Sequence, residues 1–166
     1  IPTFPTKDLG EYVECSSCKS TFKKIVLEHD PKKEEQKIRA LYFSAAKDVM
    51  VSIALADGKI EEVEIEEIMN CFEKITNLKL EKKIVLETIE EIKKNNYTIT
   101  QIASSVAPYL NDKAKETVIR AAIAIAKSDG FVHEQEVKML HILSDDLLLP
   151  KAYANGIFAE YEIKKK

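Results

Sequence analysis

From Asp30 onward, apolar residues return every three or four positions, the period of one face of an α-helix. The first run is the longest. Ile38, Leu41, Tyr42, Ala45, Val49, Ile53 and Ala56 form one stripe, opened by Asp30-Pro31 as N-cap and first-turn proline. Asp57-Gly58 stops it, because glycine suits a left-handed C-cap. A second helix is predicted over 61–76 through Ile65, Ile68, Met69, Phe72 and Ile75, and a third over 80–94 through Ile84, Val85, Ile89 and Ile92. Thr98 or Thr100 caps a shorter helix reaching Tyr109, and Asn111 or Asp112 opens the next, which ends at Asp129-Gly130. Helices over 133–147 and 150–161 bring the total to about seven. Residues 1–29 break this pattern: Pro2, Pro5 and Gly10 punctuate a short alternating stretch, 11–15, that reads as a strand running into Cys15 and Cys18. The chain therefore divides into an appendage (1–29), a helical body (30–161) and a basic tail (162–166).

Composition agrees with an all-α reading. Of 166 residues, 45% are hydrophobic and 32% charged, with four Gly and no Trp, which favours helices over a turn-rich β fold. A net charge of −3 offers no basic face for nucleic acid, and the six Tyr and six Phe are spread along helix faces rather than gathered into a base-stacking platform. No run approaches the roughly 20 apolar residues that span a bilayer, and no leader of signal-peptide type is present, so a cytoplasmic protein is expected. Three cysteines, two of them in Cys15-Ser16-Ser17-Cys18, fit a metal knuckle better than a disulfide framework. Cys71, beside Phe72, is expected in the core. His141 lies among Met139, Leu140 and Ile142 and is assigned no chemistry. Because the chain opens at Ile1 rather than Met, a segment upstream of it is expected.

The most informative motif occurs twice. IALADGKIEEVEIEEI, from Ile53 to Ile68, and IAKSDGFVHEQEVKML, from Ile125 to Leu140, share Ile, Ala, Asp, Gly, Glu and Glu in register. Asp57, Glu62 and Glu64 thus have counterparts in Asp129, Glu134 and Glu136, and a pseudo-twofold could bring both sets to one site. Two accounts stand open. In the structural one, Gly58 and Gly130 end a helix, Ile60 and Val132 act as staples, and the glutamates complement the next helix N-terminus, each by roughly 0.3–1 kcal/mol. That account leaves Asp57 and Asp129 unexplained, since an Asp beside a helix C-terminus meets partial negative charge. In the other account a hard divalent cation, Ca²⁺ or Mg²⁺, relieves the repulsion among these carboxylates, although the spacing is not that of an EF-hand. An acidic surface that docks a protein is a further possibility. No nucleophile or phosphate-binding loop adjoins the acids, so an enzyme is not expected.

These two turns on about seven helices resemble the TerB-like domain, the fold of bacterial tellurite-resistance proteins and of DjlA-type co-chaperones. The resemblance covers about 31–161. It implies an acidic surface with divalent-metal binding, placing that role on Asp57, Glu64, Asp129 and Glu136, with Glu62 and Glu134 as second choices. Ser128 replaces the family's Ala before the second Asp-Gly, and Lys59, Lys127 and His133 bring positive or titratable groups to the turns. The stretch from Leu9 through Cys15 and Cys18 to Phe22 resembles the second half of a bacterial zinc ribbon, in which another Cys-x-x-Cys comes first. It implies that Cys15 and Cys18 are two of four zinc ligands, with His29 as a weaker candidate. The function these resemblances imply is a non-enzymatic, metal-binding module in bacterial metal or envelope stress. The alternative is an adaptor with protein partners, in which the acidic turns are structural and an apolar groove is exposed.

Overall fold

The computed structural model describes residues 6–24, 30–56, 58–130 and 132–163. The chain forms two compact units, Ile1–Lys37 and Ile38–Lys166. In the first, β1 (Thr6–Leu9), β2 (Tyr12–Cys15) and β3 (Thr21–Lys23) make an antiparallel sheet in sequence order, with Leu9 opposite Tyr12 and Val13 opposite Phe22. The sequence pattern anticipates β2 only. β1 (TKDL) and β3 (TFK) hold one apolar residue each and so show no alternation, and their register comes from pairing with β2.

Seven α-helices follow among the described residues: α1 (Pro31–Ala54), α2 (Glu62–Thr76), α3 (Lys82–Asn95), α4 (Ile99–Val106), α5 (Asp112–Ala126), α6 (Glu134–Asp146) and α7 (Lys151–Glu160). The starts of α1, α4 and α5 are set by side chains that satisfy free N–H groups of the first turn. Asp30 Oδ1 accepts from the backbone N–H of Lys32 at 3.1 Å. Thr98 Oγ1 accepts from Gln101 N–H at 3.2 Å while Gln101 Oε1 accepts from Thr98 N–H at 2.9 Å, a reciprocal box. Asn111 Oδ1 accepts from Ala114 N–H at 2.9 Å. The sequence pattern extends α4 to Tyr109, but the helix stops at Val106 and continues as a 3-10 turn, Ala107–Tyr109. Pro108 has no N–H to close an α-helical bond, so the last turn tightens.

The C-terminal half of α1 and most of α5 are buried on nearly every side, with Val49, Met50, Val51, Ile53, Ile119, Ala122 and Ile123 fully enclosed. A helix apolar all round is an interior helix. Around α5, α2 packs on α3 and α5, α4 on α6, and α5 on α6. Phe43 on α1 meets Phe72 on α2 edge-on, ring centroids 6.1 Å apart. Between α5 and α7, the Tyr153 hydroxyl donates to Glu116, and Arg120 donates from Nε to Glu116 (2.8 Å) and from Nη1 to Glu160 (2.7 Å). Tyr153, with Arg120 next, holds the Glu116 carboxyl down at about 2. Cys71 is a core residue as expected; burial, reinforced by Glu67, pushes its thiol up to about 12. His141 packs edge-on against Phe158 at 4.5 Å. No helix among the described residues is long and apolar enough to cross a membrane.

The helix ends divide into two kinds. α2 and α3 end on Asn77 (φ 56°) and Asn96 (φ 51°), residues that tolerate the left-handed region. After α6 that conformation falls to Leu148 (φ 57°), 70% exposed, where a Cβ-bearing apolar residue is strained and buries nothing in compensation. Leu148→Gly is expected to stabilise the domain by about 1 kcal/mol. Gly130→Ala, at φ 87° with nothing within 4 Å of the place a Cβ would take, is strained by its backbone alone and is expected to destabilise the domain by about the same amount. Urea unfolding of both variants checks the opposite signs.

Candidate functional site

The duplicated motif is duplicated in its hydrogen bonds. Leu55 N–H donates to Val51 O at 3.0 Å, Ala56 N–H to Ile53 O at 2.9 Å and Gly58 N–H to Leu55 O at 2.9 Å. Seventy-two positions on, Lys127 N–H donates to Ile123 O at 3.1 Å, Ser128 N–H to Ile125 O at 2.9 Å and Gly130 N–H to Lys127 O at 3.1 Å. Gly58 (φ 91°) and Gly130 (φ 87°) then turn the chain through the left-handed region. Both turns lead into a helix whose third residue is a glutamate: Glu64 Oε2 accepts from Glu61 N–H and Glu136 Oε2 from His133 N–H, each at 2.7 Å. These carboxylates sit against the positive end of α2 and α6, where negative charge is favoured.

The six acids have different surroundings. Glu64 (9% exposed) and Glu136 (5% exposed) are buried by the bundle while capping their helices. Glu62 is paired with Lys82 on α3, and Glu134 with Lys138 at 3.1 Å one turn along α6, both at the surface. Asp129 Oδ2 lies 3.8 Å from His133 Nε2. Asp57 lies outside the described residues, as does His29. The Glu136 carboxyl is pushed up to about 7, chiefly by burial, with the negative charges of Asp129 and Glu64 adding to it and the cap from His133 opposing. Among the described residues, however, no group of three or more His, Cys, Asp or Glu side chains is arranged to hold a metal ion.

A second feature escaped the sequence reading. Leu41 and Ala45 on α1 and Ile102 and Val106 on α4 wall a groove of about 310 Å³, with Tyr97 at one end. It shares Ser44, Asp48, Tyr97 and Ile102 with a smaller cavity of about 140 Å³, in which Lys47 pairs with Asp48 at 2.8 Å and donates to Thr88, and Ser44 Oγ donates to Asp48 at 3.3 Å. The signal was present in the sequence, because residues 95–111 are 17 consecutive positions without a charge in a chain that is 32% charged.

The family model of the tellurite resistance protein TerB matches residues 43–159, which takes in the helical body from the middle of α1 onward, both turns and the groove's α4 wall. The chain belongs to the TerB family. No curated protein and no solved structure matches it. The TerB span leaves the sheet and its cysteines outside. There Cys15 N–H donates to Ser20 O and Lys19 N–H to Cys15 O, both at 2.9 Å, with Lys19 at φ 64°, so Cys15 and Cys18 flank one tight turn. Ser20, through its side chain and then its backbone, together with Cys15, holds the exposed Cys18 thiol below its ordinary range.

Glu136 gives the TerB domain a pH dependence with a defined sign. Its carboxyl rises from 4.5 to about 7 on folding, so between those values the folded state binds the extra proton. Stability from this group is therefore full below pH 4.5 and is lost as pH climbs through 7. Glu136→Gln keeps an oxygen for the His133 N–H and removes the titration. The difference in unfolding free energy between variant and parent is expected to move in the variant's favour from pH 5 to pH 8; a constant difference would show that Glu136 titrates as an ordinary surface acid.

Proposed function

We propose that this TerB domain is a non-enzymatic protein-interaction module whose duplicated acidic turns serve the fold. The observation that carries this reading is the occupation of the acids: Glu64 and Glu136 each cap a helix, and Glu62 and Glu134 each pair with a lysine. The apolar groove between α1 and α4 supports it by offering the exposed surface that an adaptor needs. A place in bacterial metal or envelope stress rests on family membership alone.

One observation favours a second reading, in which a divalent cation sits between the halves. Glu136 is coupled to negative charge from both turns, and a cation would relieve that repulsion as well as a proton does. Glu64, Asp129 and Glu136, with Asp57, are its proposed ligands. Thermal unfolding with EDTA, Ca²⁺, Mg²⁺ or Mn²⁺ decides between them. On the interaction reading no cation shifts the midpoint. A saturable rise that Asp129→Asn and Glu136→Gln both abolish would replace it with the cation reading, since only ligands of the native state stabilise it.

The knuckle supports a separate zinc role. Cys15 and Cys18 are proposed to supply two thiolates, with the remaining ligands coming from outside this pair. Zinc retained by the protein through gel filtration is expected to fall to background in Cys15→Ser/Cys18→Ser and to be unchanged in Glu136→Gln. Equal retention in all three would remove the cysteines from the assignment.

A further inference from the structure

We infer that the groove between α1 and α4 receives an amphipathic helical segment of a partner protein, which lays apolar side chains along Leu41 and Val106 and brings a basic side chain to Asp48 and Glu91. The inference rests on the interaction reading above and names the chemistry of the partner. The groove is polarised along its length. Leu41, Ala45 and Val106 line the larger cavity alone, whereas Asp48 and Tyr97 stand where it joins the smaller one. Among the described residues Asp48 is the one charged group lining the larger cavity, because the α4 side belongs to the uncharged run 95–111.

Charge selects the occupant. The smaller cavity sets one cation, Lys47, against two carboxylates, Asp48 and Glu91, and so keeps a surplus negative charge. Lys47 is committed to Asp48 at 2.8 Å and to Thr88, which fixes the Asp48 carboxylate at the junction. Glu91 is exposed and has no ion pair among the described residues. A basic side chain arriving along the groove offsets that surplus, whereas an acidic one adds a third carboxylate and is repelled. Tyr97, 47% exposed at the same junction, adds an aromatic ring, a group that attracts cations to its face. On α1, Leu41 and Asp48 are seven positions apart, two helical turns and about 10 Å. A helical segment with apolar residues one turn apart and a basic residue one turn further on spans the same distance. The contact is small for a protein interface, so micromolar affinity is expected.

Fluorescence anisotropy tests this with a labelled, alanine-based helical peptide that carries two leucines one turn apart and an arginine a further turn on, titrated with the full chain in EDTA and a reducing agent. Saturable binding in the micromolar range is expected, and glutamate in place of the peptide's arginine is expected to weaken it by at least about tenfold. In the protein, Glu91→Lys is expected to weaken binding of the arginine peptide by a similar factor while circular dichroism stays native. Glu90→Lys makes the same charge change one residue away, outside both cavities, and is expected to leave the curve unchanged. Asp48→Asn is expected to act in the direction of Glu91→Lys. A chain that binds neither peptide overturns the inference. Equal binding of both peptides also overturns it, by assigning the groove to an apolar occupant indifferent to charge, as does equal weakening by Glu91→Lys and Glu90→Lys, by reducing the effect to net charge. Each of these results is independent of the cation titration, on which the interaction reading stands or falls.

Discussion

Two helices buried on almost every side impose the constraint that shapes the rest of the domain. The C-terminal half of α1 and the body of α5 have surrendered their solvated faces, so the chain must leave each of them abruptly and start the next helix without stranding backbone groups. The Asp-Gly turns meet that demand. A glycine in the left-handed region reverses the chain, and a glutamate three residues into the following helix returns to hold the N–H of the residue before it. Replacing the glutamate would leave a partly buried N–H without its acceptor, and replacing the glycine would strain the left-handed turn.

That requirement explains why the fold was largely legible in the sequence. Period, caps and stops gave seven helices with ends a few residues adrift, because amphipathic spacing and capping residues are local signals. The TerB resemblance followed from the same repeat. What was not legible depends on distance in the fold. Spacing alone cannot tell whether Glu64 and Glu136 ligate an ion or cap a helix, since both uses put a glutamate at the start of a helix. Glu62 finds Lys82 twenty residues away only after α2 and α3 have packed. The left-handed Leu148 was hidden for a different reason: the packing around α6 and α7 imposes a backbone conformation that its side chain does not favour.

The groove shows how a signal can be plain and still go unread. Residues 95–111 read as a short capped helix and largely form one, with Ile99, Ala103 and Val106 in the core and Thr98 and Asn111 capping as their composition suggests. The informative property was the lack of any charge in an otherwise heavily charged chain, which periodicity does not detect and which acquires meaning only when Leu41 and Ala45 of α1 are placed opposite α4.

The internal repeat also separates what the fold needs from what a function needs. Features the fold requires should appear in both copies, and the turn bonds, the left-handed glycines and the capping glutamates do so residue for residue. Features that differ between the copies are free of that requirement. The first turn is followed by Glu61 and the second by His133, and in the second Asp129 faces that histidine at 3.8 Å. A site specialised for a ligand is therefore better sought in the second turn than shared equally between them, because symmetry there reflects helix termination and the departure from symmetry is what helix termination does not explain.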